Sequence, residues 1–142
     1  MAERELLIIC ILIVMIPTVY LFIILNGVDK FILGFSVIGQ IITLLGVLLK
    51  KKAISEIGHI IFGIILFIIP IFGHSIYILI LVAFVLLLTL ITRKLFNNCI
   101  FHYDIENKKI FDLIPNFNWD LTYSILLIVV IFRVILLSKI LF

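Results

Sequence analysis

Val47-Leu48-Leu49-Lys50-Lys51-Lys52-Ala53-Ile54 contains the longest run of like charge in the 142-residue sequence. Apolar blocks lie on both sides of it. A helix rises about 1.5 Å per residue, so about 20 apolar residues cross the roughly 30 Å hydrocarbon core of a bilayer. The lysines therefore read as a membrane edge between two spans. Composition agrees: 65% of the residues are hydrophobic, 13% are charged, and the mean hydropathy is +1.47. A soluble domain is about half apolar and roughly a quarter charged. In water the apolar surplus would cost about 25 cal/mol per Å² exposed. Lipid removes that cost.

Working outward, the apolar blocks predict transmembrane helices over about 6–25, 31–49, 54–72, 75–92 and 121–140, with a polar loop over 93–120. The expected fold is an all-α integral membrane protein, one polytopic domain spanning 1–142. Glu3 and Glu5 make the N-terminus acidic, and no small-residue cleavage site follows the first block. That block reads as a retained span rather than a secretory signal. Pro17 falls inside it, a kink that Thr18 can help satisfy. Asn26-Gly27 marks the first turn, and Ser55 is a candidate cap for the third helix. Only Gly73-His74-Ser75 separates blocks three and four, so Pro70 and Gly73 read as the break of a tight helical hairpin. Within the polar loop, Cys99, Phe101, Tyr103 and Ile105 alternate with Ile100, His102 and Asp104. Ile110–Ile114 can return after a turn at 106–109, which predicts a short cytoplasmic β-hairpin. Trp119 and Tyr123 read as interfacial anchors at the start of the last span.

Basic residues orient the chain. With five spans and a cytoplasmic N-terminus, Arg4, Lys50, Lys51, Lys52, Arg93, Lys94, Lys108 and Lys109 fall inside, and Lys30 and Lys139 outside. The positive-inside rule then puts the C-terminus on the opposite side. The net charge of +3 is read as this topology signal, and no nucleic-acid partner is expected.

The second span carries the most organised pattern. Ser36, Gly39, Gln40, Thr43 and Gly46 recur at steps of three and four, which puts small and polar groups on one helix face. Such a face suits close helix packing or, if wet, a pathway. Glu56 and His59 lie one turn apart on the third span, near a face that also takes in Gly63 and Pro70. Arg133 is the one charge well inside an apolar block, and it is expected to snorkel or to pair with Asp29.

No cofactor or metal site is expected. His59 and His74 are too far apart along the chain to share an ion. On a strand, Cys99 would face away from His102 and Asp104, leaving no tetrahedral set. Cys10 and Cys99 fall in an apolar block and a polar loop, so no disulfide is expected. The sequence contains no HExxH, GxSxG, phosphate-binding glycine loop or TVGYG filter. The expected function is a non-catalytic subunit or packing component of a membrane oligomer or larger complex. Its partners would be the lipid bilayer and other membrane subunits or copies of itself. The alternative is a small homo-oligomeric channel, transporter component or membrane-permeabilising effector, with Gln40, Thr43, Glu56, His59 and Arg133 on the path. A lipid- or quinone-modifying site shared with another subunit is a third possibility.

Overall fold

The computed structural model describes residues 3–96 and 118–141, and all secondary structure there is helical. Five helices follow in order: α1 (Glu3–Ile24), α2 (Val28–Leu48), α3 (Lys52–Phe72), α4 (Ile76–Phe96) and α5 (Trp119–Leu141). Each is long and apolar enough to cross a membrane, the pattern of a multi-pass membrane protein. The five helices overlap the five apolar blocks, with ends that differ by a few residues. The β-hairpin expected within 93–120, with Cys99, His102, Lys108 and Lys109, lies outside the described residues.

The turns explain the boundaries. Gly27, at φ 72°, takes the left-handed backbone between α1 and α2. At the end of α2 the Lys50 amide donates to Val47 O (3.3 Å) and the Lys51 amide to Gly46 O (2.9 Å). Lys50 itself has φ 56°. This is a Schellman ending, with lysine in the left-handed position that glycine usually fills. The first two lysines thus lie in a three-residue corner, Leu49–Lys51, between two antiparallel helices, and the third, Lys52, opens α3. Ser75 caps α4, accepting from the Tyr77 amide (3.3 Å), and Asn118 caps α5, accepting from the Leu121 amide (3.0 Å).

The α2–α3 pair forms the closest helix contact, and glycines permit it. A Cβ on Gly46 would lie 2.6 Å from Ser55 Cα, and one on Gly58 would lie 2.7 Å from Gly39 O. One on Gly39 would meet the Phe62 amide nitrogen at 3.1 Å. Helix α1 packs on α2 and reaches across to α4, while α4 packs on α3 and α5. The core lies among α1–α4, around Ile11, Val14, Leu33, Val47, Ile78, Leu79, Val82 and Leu86. Helix α5 sits at the side, against α4 and the end of α3.

Several local expectations are corrected. Ser55 does not cap α3, which starts at Lys52 with Lys51 as a cap that lends no side-chain bond. Ser55 is instead buried against Gly46. Gly63 is off the packed face, since a Cβ there meets nothing within 4 Å. Gly58 occupies the position at which α2 comes close. Thr18 bonds Val14 O (2.7 Å), one residue past the Ile13 carbonyl that Pro17 releases. Tyr123 is turned inward, 6% exposed, between Phe67 and the Arg93 guanidinium.

Candidate functional site

The five residues of the α2 stripe are all buried, and they face protein. Gln40 sits at the centre. Its amide nitrogen donates to Thr18 Oγ1 on α1 and to Ser36 Oγ one turn earlier, both at 3.3 Å. Thr18 has already given its hydroxyl hydrogen to Val14 O, so it can only accept here. That fixes which end of the Gln40 amide faces it. Gln40 Oε1 is left buried with no protein partner. Thr43 donates to Gly39 O at 2.8 Å, and Thr43 and Gly39 flank the Gly58 contact. Beside them Gln40, Thr43 and His59 meet Ile11, Val14 and Phe62 around a cavity with about 10 Å³ open to a water centre. That is about the least space that holds one water.

His59 is buried against α2, whereas Glu56 is half-buried one turn away. Asp29 and Arg133 do not pair directly, although one turn engages both. The Asp29 carboxylate accepts from the His74 amide (2.9 Å) and the Ser75 amide (2.6 Å), at the start of α4. Arg133 donates to Pro70 O (2.7 Å) and Gly73 O (2.6 Å), at the end of α3. A carboxylate at a helix N-terminus and a guanidinium at a C-terminus each oppose the local end of the helix dipole and satisfy orphan backbone groups. The α3–α4 corner is therefore gripped by opposite charges from α2 and α5.

The same device recurs at the other end. Arg4 of α1 donates to Val47 O (3.2 Å) and Leu48 O (3.1 Å), closing the C-terminus of α2. Arg93 pairs with Asp120 at 2.6 Å and ties the end of α4 to the start of α5. Sequence reasoning treated Arg4 and Arg93 as topology markers and missed this use. Arg4 and Arg93 do fall at the same end of the bundle as the lysine corner. Lys50, Lys51 and Lys52 are exposed there, as is Lys94. Among the described residues no three His, Cys, Asp or Glu side chains converge as metal ligands.

No protein-family model, curated protein or solved structure matches the chain significantly.

Proposed function

We infer that the chain is a non-catalytic component of a membrane assembly, working by packing against other membrane helices. One observation carries this. Helix α5 is apolar on every side, yet only 11% of its span is buried, against 33–44% for the other four. Its large side chains Ile128, Phe132, Ile135 and Ile140 project outward. Its one deeply placed charge, Arg133, is turned back onto the α3–α4 corner. The other polar groups that attract attention in the sequence hold helices together: Asp29 on amides, Arg4 on carbonyls, and Gln40 between α1 and α2. The basic cluster at the lysine corner supports an N-in, C-out orientation.

The test is single-cysteine cross-linking at Ile128 and Phe132 in native membranes, followed by native mass spectrometry in mild detergent. Specific adducts through α5 and a defined higher-order species are expected. A protein that stays monomeric and uncross-linked in both would overturn the proposal.

The small cavity favours a second proposal, a permeation path through a homo-oligomer. Gln40, Thr43 and His59 would lie on it, whereas Arg133 is committed elsewhere. Proton or ion flux into liposomes, lost in Gln40→Leu, is the expected result. Flux indistinguishable from empty liposomes across several ions would dismiss it.

A further inference from the structure

On the outer face of the α1–α2 pair lies a groove of about 470 Å³, lined by Phe22, Gly27, Lys30, Phe31, Gly34, Phe35 and Ile38. Its volume is in the range of ligand sites. The groove has a chemical direction. Gly27 and Lys30 stand at its mouth, beside the α1–α2 turn. The floor then runs inward along α2 through Gly34 to Ile38, about 12 Å from Lys30 at a helical rise. Past the mouth every lining side chain is hydrocarbon or aromatic, and Gly34 keeps the floor low where the Phe22 ring crosses it.

The charge at the mouth is held in place. The Lys30 ammonium lies 5.3 Å from the centroid of the Phe22 ring, on the groove wall. Asp29, the adjacent residue in sequence, points away and has both carboxylate oxygens on the His74 and Ser75 amides. A cation at a membrane edge, with an apolar channel descending from it, complements a molecule with an anionic head and a hydrocarbon tail.

We propose that this groove is a binding site for one anionic phospholipid, its phosphate at Lys30 and an acyl chain lying over Gly34 toward Ile38. The site is independent of the assembly proposal, since it lies on α1 and α2 and leaves α5 free. One interfacial lysine near an anionic lipid gives roughly a fivefold preference over a zwitterionic one.

The test is native mass spectrometry of the full chain in mild detergent, titrated with phosphatidylglycerol or phosphatidylcholine of identical chains. Preferential retention of one phosphatidylglycerol, about fivefold over phosphatidylcholine, is expected for the wild type. Lys30→Gln should reduce phosphatidylglycerol to the phosphatidylcholine level, and Lys30→Arg should keep the preference. Gly34→Leu should weaken both lipids by filling the channel. Because that variant crowds Phe22 and risks misfolding, Lys30→Gln is the deciding one. Equal retention of the two lipids by the wild type, or an unchanged preference in Lys30→Gln, would overturn the proposal. So would displacement of the lipid by millimolar inorganic phosphate, which would mark a free-anion site.

Discussion

Alanine substitution at three glycines of the α2–α3 hairpin should give opposite signs. A Cβ on Gly46 would sit 2.6 Å from Ser55 Cα and 2.8 Å from Ser55 Cβ. Carbon atoms prefer about 3.5–4.0 Å. The obstacle is mainly backbone, which has no rotamer to move away, so the helices must part by roughly 1 Å. A gap of 0.5–1 Å forfeits about a quarter to a half of each pairwise attraction along the seam, and overpacking by one carbon costs about 1–3 kcal/mol. Gly46→Ala should therefore destabilise by roughly 2–4 kcal/mol, as should Gly58→Ala, whose Cβ would meet Gly39 O at 2.7 Å. One displacement relieves both clashes, so the double variant should cost well under the sum of the singles. Gly63→Ala meets open space and should be neutral or stabilising by up to about 1 kcal/mol, through helix propensity. Cys10 is 7% exposed, so in a Cys99→Ser background its thiol reactivity reports unfolding in mixed micelles. Equal stabilities for Gly46→Ala, Gly58→Ala and Gly63→Ala would refute the close approach. Strictly additive losses in the double variant would refute its being a single shared seam.

Other perturbations separate the remaining contacts by the same thiol assay. Arg133→Leu strips two charge-assisted bonds from Pro70 O and Gly73 O and should cost about 2–4 kcal/mol, with Arg133→Lys recovering part of it; a neutral Arg133→Leu would mean the corner does not need the guanidinium. Lys50→Gly should stabilise by about 1 kcal/mol, because glycine carries no penalty at φ 56°, whereas Lys50→Ala should not; equal effects of the two would argue against the left-handed corner. Gln40→Met should change stability by less than about 1.5 kcal/mol, since it removes an unpartnered oxygen together with two long hydrogen bonds; a loss well beyond that would mean the amide holds α1 and α2 far more strongly than its geometry implies.

How much of this was legible in the sequence differs by level. Spans can be read locally, because twenty apolar residues in a row carry their own length and solvent preference. The packed face of α2 was equally legible: the period of Ser36, Gly39, Gln40, Thr43 and Gly46 is a property of one helix. Its counterpart on α3 was not. Gly58 and Gly63 are equivalent by composition, and only the facing backbone of α2 distinguishes the crowded one from the open one.

The lysine run illustrates the same divide. As sequence it is three like charges between apolar blocks, and that alone is enough to place a chain reversal at a membrane edge. That Lys50 adopts a left-handed backbone and closes a Schellman corner follows from how short the α2–α3 connection must be once Gly46 and Ser55 touch. Charges tell a similar story. Asp29 and Arg133 announce themselves as costly in an apolar chain, so the sequence determines that each must find a partner, whereas Arg4 reads there only as a topology marker. Which partner depends on where other helices begin and end, because a helix terminus offers unpaired amides or carbonyls only at its tip. Asp29 and Arg133 each reach such a tip before they reach one another, and that choice belongs to the tertiary structure alone.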